Sequence, residues 1–376
     1  MEIIYECCAG LDVHQNNVVA CVLDGPLTST RPKKHLKKFD TTTKGLLGLH
    51  EWLTEFNCEI VAMESTGIYW KPIWHILQGS FDLVLANPYK IKNIPGQKTD
   101  KKDASWIAKL LRIDLIPKSF VPEEPIQDLR ELTRLRKMWI ESRNREKNRA
   151  HKILQTAGIK ITSYMTDIFG MSGRNLLNLL ISEEEITEEK VEKAVYTSLK
   201  FKVPELLEGL TGFFRSHHRF LLKQVLDVID MYNDKIKELE IKIAECLEPY
   251  REYVDNLVTI PGISEDSAAV IISEFGINMN QFSSAEKLAS WVGLCPANNE
   301  SAGKRRSTRI SKGNSYAKKI LCQCAYSACR SNHLRFKNYY QRISQNRGGK
   351  RATIAVAHLI TRIIYYMISR NEVYHE

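Results

Sequence analysis

The pattern of hydrophobic and polar residues changes twice along the chain. In residues 1–122, short apolar runs alternate with amphipathic stretches. The pattern predicts strands over residues 9–13, 17–23, 59–63 and 81–86, and helices over residues 43–56 and 103–112. Strands that alternate with helices are typical of an α/β domain with a largely central sheet.

The middle of the chain, residues 123–250, has helical periodicity. Apolar side chains recur every three or four residues at Leu222, Val225, Ile229, Tyr232, Ile236, Leu239, Ile243 and Cys246. This heptad spacing predicts a long helix in a coiled coil. Its partner is either the helix predicted around residues 126–151 or the same helix of another subunit, and the pattern does not choose between them.

Residues 251–376 predict a compact all-α domain with Gly-rich turns, ending in an apolar helix over residues 352–369. Residues 257–276 have the pattern of a helix, a tight Pro-Gly turn and a second helix, which is similar to a helix-hairpin-helix motif. In that motif the turn and the second helix face a DNA phosphate, so Gly262 is a candidate phosphate contact. A plain turn between two helices is the alternative.

The excess of positive over negative charge lies in one segment. The net charge is +10, and residues 301–370 contain 16 Lys or Arg and no Asp or Glu, whereas the first 300 residues contain 38 basic and 42 acidic side chains. Such a tract predicts a polyanionic partner, although it could instead dock on the acidic residues 182–192. The candidate nucleic-acid contacts in this tract are Lys304, Arg305, Arg306, Arg309 and Lys312.

The helix around residues 126–151 is also basic. Arg143, Arg145 and Arg149 are candidate contacts to a nucleic-acid backbone, and a solvated helix face is an equally good interpretation.

Composition narrows the cellular setting. No apolar run approaches the length of a membrane span, and the N-terminus lacks the basic-then-apolar pattern of a secretory signal. The 9 cysteines form no CxxC pair, which favours reduced thiols. We therefore expect a cytoplasmic protein without a membrane partner.

Four acidic residues are candidates for a metal site. Asp12 and Glu64 each lie at the end of a predicted strand. Asp100 and Asp103 lie three residues apart at the start of a predicted helix and could share one face of it. Cleavage of a phosphodiester needs its charge neutralised, and Mg²⁺ prefers carboxylate oxygens. Each acid alone could also be a surface residue or a helix cap, and Asp100 is the weakest candidate.

Ser301 begins a strongly basic loop. Nearby cations would favour its alkoxide and hold a phosphate, as attack on phosphorus requires. A loop serine is usually a turn residue, and no neighbouring His or Asp identifies a base.

Taken together, these segments resemble the DEDD-type insertion-sequence transposases, a family guided by a noncoding bridge RNA. The resemblance spans nearly the whole chain and rests on the order of its motifs. In the N-terminal part these are residues 10–14 (GLDVH), 64–67 (ESTG), 87–88 (NP) and 98–104 (KTDKKDA). In the C-terminal part they are residues 260–263 (IPGI), 293–296 (GLCP), 301–304 (SAGK) and 310–314 (ISKGN).

The resemblance implies a division into three domains. Residues 1–122 would have the RNase H-like fold of Holliday-junction resolvases, residues 123–250 would form a helical coiled-coil linker, and residues 251–376 would be the basic domain with the catalytic serine. Asp12, Glu64, Asp100 and Asp103 would bind Mg²⁺, with two ions expected and Mn²⁺ as a substitute. Ser301 would attack DNA and form a covalent phosphoserine intermediate.

The resemblance also implies partners and a location. The bridge RNA would pair with donor and target DNA, leaving the protein to recognise shape and backbone. Family members assemble as multimers, so we expect a homo-oligomer, a dimer or tetramer, to which the heptad seam would contribute. The protein would act at the nucleoid of a bacterial or archaeal cell.

One position departs from the family pattern. Gly often follows the catalytic serine directly, whereas here Ala302 comes before Gly303, and Ala adopts positive φ less readily. Ser307 and Ser311 therefore stay as minor alternatives to Ser301.

Two other functions compete with a recombinase. One is a structure-selective nuclease that uses water as its nucleophile. The other is a non-catalytic nucleic-acid-binding protein, against which the four retained acids argue.

Overall fold

The computed structural model describes residues 2–65, 67–88, 91, 103–182, 185–296, 299–301, 304–307 and 310–375. The chain forms two compact units, Met1–Val121 and Pro122–Glu376.

The first unit is a five-stranded mixed sheet with helices. Its strands are β1 (Cys7–Val13), β2 (Asn17–Asp24), β3 (Lys33–Asp40), β4 (Ile60–Glu64) and β5 (Asp82–Ala86), in the order β3-β2-β1-β4-β5. Strands β1, β2 and β3 are antiparallel neighbours, whereas β4 is parallel to both β1 and β5. The helices are α1 (Thr43–Glu55), α2 (Trp70–Leu77) and α3 (Asp103–Arg112). The predicted α/β character is confirmed.

Alternation along the strands builds one core on each face of the sheet. Leu11 and Met63 belong to the core that includes residues of α1 and α2, while Cys8 and Ala62 belong to the core that includes residues of α3. Helix α3 packs against β1 at Gly10, where an added Cβ would come within 2.4 Å of two α3 backbone atoms. Only glycine allows this approach, which fixes α3 beside the end of β1.

Strand β3 was not predicted from the sequence. Four of its eight residues are lysines, and only Phe39 is buried. An edge strand that is mostly exposed carries no apolar alternation, so the pattern used to find the other strands is missing.

The second unit is mostly helical. Its helices are α4 (Glu124–Thr156), α5 (Met171–Ile181), α6 (Glu188–Ala194), α7 (Val203–Leu210), α8 (Ser216–Leu247), α9 (Arg251–Val258), α10 (Glu265–Phe275), α11 (Ala285–Val292), α12 (Ser315–Arg330), α13 (Leu334–Arg347) and α14 (Gly349–Arg370).

The heptad seam is filled within the chain. Helices α4 and α8, of 33 and 32 residues, pack against each other. Arg143 donates to Asn233 over 2.8 Å, and the earlier Arg136 meets the later Glu240, so the two helices run antiparallel. Of the two partners left open by the sequence, the structure selects α4 of the same chain.

The C-terminal part contains a strand pair, so the all-α prediction is wrong there. Strands β6 (Asn299–Ser301) and β7 (Lys304–Ser307) pair antiparallel, with Ser301 opposite Lys304. Their polar sequence gives no apolar alternation, so the pattern that predicts strands is missing. Helix α4 also packs against both α8 and α10, which places residues 123–250 and 251–376 in one unit.

Helix α14 is an exception to the expected lack of long apolar runs. It is the one helix of the described chain that is long and apolar enough to cross a membrane. One face of this helix, which includes Ala352, Ile360 and Ile368, is buried, and the helix packs against α11, α12 and α13, as the core helix of a globular unit does.

Candidate active site

Asp12 and Glu64 lie side by side at one corner of the sheet. Leu11 of β1 pairs with Met63 of β4, and the two acids are the next residues on these parallel strands. Leu11 and Met63 are fully buried in the core on the α1 and α2 side. Because successive side chains alternate between faces, both carboxylates project from the opposite face, where α3 packs.

Asp103 is the third acid near this corner. It is exposed and is the first residue of α3, the helix that crosses β1 at Gly10. The sheet and helix α3 therefore bring three of the four predicted acids to one face of the unit. Asp100 lies outside the described residues.

The side-chain chemistry of these three acids suits a divalent cation, but their positions do not by themselves complete a site for one. Carboxylate oxygens are the ligands that Mg²⁺ prefers. Within the described ranges, however, no three His, Cys, Asp or Glu side chains lie close enough together to share an ion. Asp12, Glu64 and Asp103 thus provide suitable oxygen donors without forming a complete metal site by themselves.

His14 contacts Asp12 at this corner of the sheet, and no role was predicted for it from the sequence. Its Nε2 lies 3.1 Å from Oδ2 of Asp12. The side chain of Asp12 is 24% exposed and that of His14 is 57% exposed. The hydrogen bond orients the Asp12 carboxylate while leaving it accessible, and the two-residue spacing after a strand is the signal that could have indicated it.

Ser301 ends strand β6 at the tip of a hairpin. Its backbone partner across the turn is Lys304, the first residue of β7, which continues through Arg305 and Arg306. The hairpin therefore brings the candidate nucleophile and three candidate phosphate contacts into one short segment. Arg309 lies outside the described residues.

Backbone packing supports the base of this hairpin. Gly293 has φ +87°, and a Cβ added to Gly313 would lie 2.4 Å from the Gly293 nitrogen. Ser311 donates its backbone N–H to Cys295 over 3.1 Å, and Pro296 bridges to Ile310. The two glycine-containing motifs, GLCP and ISKGN, thus pack backbone to backbone and hold both ends of the hairpin.

A buried carboxylate connects this support to helix α4. Glu274 is 0% exposed and accepts two hydrogen bonds from Arg134, of 2.7 and 2.8 Å. Its Oε2 also accepts a 2.6 Å bond from Asn314, whose own side chain caps α12. Arg130 lies 3.5 Å from the same oxygen, and its burial lowers its pKa to about 10. Neither Glu274 nor Asn314 was singled out from sequence.

The remaining predicted nucleic-acid contacts differ in whether their side chains are accessible. Lys312 is exposed. Arg145 and Arg149 are exposed on α4, where they bond Ser142 and Glu146 respectively, while Arg143 is directed to α8. Lys312, Arg145 and Arg149 are therefore accessible to a partner.

Gly262 has a packing role in the structure. The turn between α9 and α10 places it at φ +89°, and an added Cβ would lie 2.5 Å from the backbone nitrogen of Ala328 in α12. The first turn of α10 contains Glu265 and Asp266, and Ser264 caps it. Glu265 pairs with Arg251 and Asp266 with Arg136, so arginines compensate both carboxylates, and the phosphate contact of Gly262 stays a prediction.

Two family models match the chain. A DEDD transposase model of the IS110 type matches residues 9–159, and a model described as transposase of the IS116/IS110/IS902 family matches residues 254–341. Together the matches cover more than half of the chain. They include Asp12, Glu64, Asp100, Asp103 and Ser301.

Two curated relatives are also similar. A probable family 20 transposase of Pseudomonas aeruginosa is 26% identical over 151 residues, which is 38% of this chain and 44% of that protein, less than half its length. The transposase for insertion sequence element IS1111A of Coxiella burnetii is 23% identical over 299 residues, 77% of this chain and 72% of that protein.

Proposed function

Because this chain belongs to the IS116/IS110/IS902 family of transposases, and is thereby a DNA transposase, we propose that it moves an insertion sequence with two sets of residues. One set is the carboxylates of Asp12, Glu64, Asp100 and Asp103. The other is the hydroxyl of Ser301 with the basic residues that follow it. The observation that carries the proposal is the strand register that sets Asp12 and Glu64 side by side on the face of the sheet where α3 packs.

The sheet supports an RNase H-like first unit. An antiparallel meander, β3-β2-β1, continues into the parallel strands β4 and β5, and the acids lie at the ends of β1 and β4. A divalent cation, Mg²⁺ or Mn²⁺, would be held by these carboxylates and would neutralise charge on the phosphodiester. The hydrogen bond with His14 fixes the Asp12 carboxylate, whose side chain stays partly exposed.

Ser301 performs the covalent step in this proposal. Its hydroxyl oxygen attacks phosphorus and gives its proton to a base, while the departing DNA oxygen takes up a proton. A phosphoserine bond thereby replaces one phosphodiester bond. A hydroxyl of the second DNA then attacks the same phosphorus and releases the serine, so the number of phosphate esters is unchanged and no energy source is consumed.

The basic segment after Ser301 holds the nucleic acid. Its 16 cations without an acid suit the backbones of donor DNA, target DNA and a noncoding bridge RNA. Joining two DNAs also calls for more than one copy of the protein, a dimer or tetramer in the cytoplasm.

One experiment tests both sets of residues. The wild type, Ser301→Ala and Asp12→Ala are incubated with donor DNA, Mg²⁺ and RNA from the noncoding flank of the element. We expect a protein–DNA adduct stable to denaturation with the wild type and none with Ser301→Ala. Ser307→Ala and Ser311→Ala are the matched controls and should keep the adduct.

The outcomes separate the competing functions. Normal strand transfer by Ser301→Ala would refute the serine mechanism, and cleavage without an adduct would favour a nuclease that uses water. Cleavage that persists in EDTA or in Asp12→Ala would refute the carboxylate role.

A further inference from the structure

Strand β3 carries the densest positive charge of the first unit. Arg31 precedes it, and Lys33, Lys34, Lys37 and Lys38 lie within it. Among the residues that the structure describes, none of these five cations pairs with a carboxylate. These five cations lie within eight consecutive residues, 31–38, although the net charge of the first 300 residues is negative.

The four lysines are divided between the two faces of the sheet. Lys37 is on the α1 face, with its Nζ 5.0 Å from the centre of the Phe39 ring. Lys34 and Lys38 are on the other face, separated by Leu36, which is 55% exposed. That second face is therefore open along β3, next to the part of the sheet on which α3 packs.

Lys38 lies in the same row of side chains as Asp12. Asp12 pairs with Val19 of β2, and Val19 pairs with Lys38 of β3. Residues that pair directly in antiparallel strands place their side chains on the same face. Lys38 is thus two strand spacings, about 10 Å, from the candidate catalytic acid.

We propose that Lys34 and Lys38 bind phosphates of the DNA strand that flanks the phosphodiester held at Asp12 and Glu64. The proposal rests on the function proposed above. The two lysines are four positions apart along the strand, about 13 Å, over which one strand of duplex DNA carries about four phosphates. DNA is the favoured ligand rather than RNA, because the row leads to the acids at which DNA would be cut.

Lysines on an edge strand also have a common structural use. They prevent edge-to-edge pairing with another sheet. Replacement of lysine by glutamate separates the two roles, since glutamate keeps an edge charged but repels phosphate.

The test compares two double variants of the full chain on the same strand. Lys34→Glu/Lys38→Glu changes the Asp12 face, and Lys33→Glu/Lys37→Glu makes the same change on the α1 face. Affinity for a 30-base-pair DNA duplex and for an RNA duplex of the same sequence is measured by fluorescence anisotropy in EDTA at 50–200 mM salt. Thermal unfolding confirms that each variant is folded, and Lys34→Gln/Lys38→Gln is measured in parallel.

We expect only the Asp12-face variants to lose DNA affinity. Loss of two phosphate contacts lowers the salt slope by about 2, so a fourfold rise in salt weakens DNA binding about tenfold less than in the wild type. Equal losses in both Glu variants, no loss in either, or a loss confined to RNA would each overturn the proposal. If Lys34→Gln/Lys38→Gln aggregates but binds DNA with unchanged affinity, the proposal is also overturned, and the role of the lysines is to prevent edge-to-edge pairing of the sheet.

Asp12→Asn keeps the two proposals separable. It should abolish strand transfer in Mg²⁺ while binding DNA in EDTA like the wild type. If Asp12→Asn still transfers strands, the proposed function fails whatever the lysine variants do. If the Lys34/Lys38 variants bind DNA normally while Asp12→Asn is inactive, the inference about β3 fails alone.

Discussion

The carboxylate of Glu274 is a fully buried charge in the second unit. It has no exposure and receives hydrogen bonds from Arg134 and Asn314, with Arg130 nearby. Glu274→Ala leaves two arginines facing a cavity without their counter-charge and removes an acceptor from Asn314. Substitution of one partner in a buried ion pair costs about 3–5 kcal/mol, because the remaining charge, here chiefly that of the largely buried Arg130, stays desolvated.

That cost can be expressed as a change in melting temperature. A unit of this size shifts by about 2–4 °C for each kcal/mol. Glu274→Ala should therefore lower the melting temperature of the second unit by roughly 6–20 °C. The loss should extend to chemistry at Ser301, because Asn314 and Gly313 adjoin in the motif that holds the hairpin base.

Differential scanning calorimetry measures the shift, and Glu240→Ala is the matched control. Glu240 also accepts hydrogen bonds from an arginine of α4, but it is 42% exposed, and Arg136 keeps its second partner, Asp266. Exposed pairs contribute about 0–1 kcal/mol, so the control should shift by no more than about 4 °C. Equal shifts for the two variants would refute the assignment of Glu274 as a buried charge on which the fold depends.

Three further substitutions test the packing around the two candidate sites. Gly10→Ala places a Cβ 2.4 Å from the α3 backbone and should destabilise the first unit by about 1–3 kcal/mol. Gly48→Ala, with open space around it, should instead stabilise α1 by up to about 1 kcal/mol, and calorimetry that ranks the two variants the other way would contradict the packing at β1. Gly313→Ala should reduce adduct formation by Ser301, measured on denaturing gels, since its Cβ would meet the Gly293 backbone, and an unchanged adduct yield would mean that this contact does not hold the hairpin. Arg112→Lys should lower the melting temperature of the first unit, because one ammonium cannot replace the guanidinium that donates hydrogen bonds to the carbonyls of residues 5, 25, 26 and 29. An unchanged melting temperature would show that those hydrogen bonds do not stabilise the unit.

Local patterns of apolar residues were sufficient to predict most strands and helices of the first unit. Strand β1 and helix α3 follow from apolar periodicity, and α3 begins at the predicted residue, Asp103. The same reasoning placed Asp12 and Glu64 at strand ends. It could not show that the two strands are neighbours, because the sheet order β3-β2-β1-β4-β5 depends on long-range pairing rather than on any local pattern.

The Glu274 cluster illustrates what local reasoning cannot reach. Glu274 is 140 residues from Arg134 and 40 residues from Asn314 along the chain. In the sequence it resembles any acid near the end of a helix, where a solvated side chain is the usual outcome. Only the packing of α4, α10 and α12 shows that it is buried and paired.

The lysines of β3 illustrate the same limit. Their cluster at residues 33–38 is visible in the sequence, but nothing in the sequence places it beside Asp12. The register of the sheet instead sets neighbours across strands, so Asp12, Val19 and Lys38 form one row although they are 7 and 19 residues apart. The tight turn after β1 and the loop before β3 fix that register, and a shift by one residue would turn Lys38 to the opposite face. A positive surface beside a predicted carboxylate site is therefore a property of strand pairing, and the two lysine pairs on opposite faces of β3 allow it to be tested.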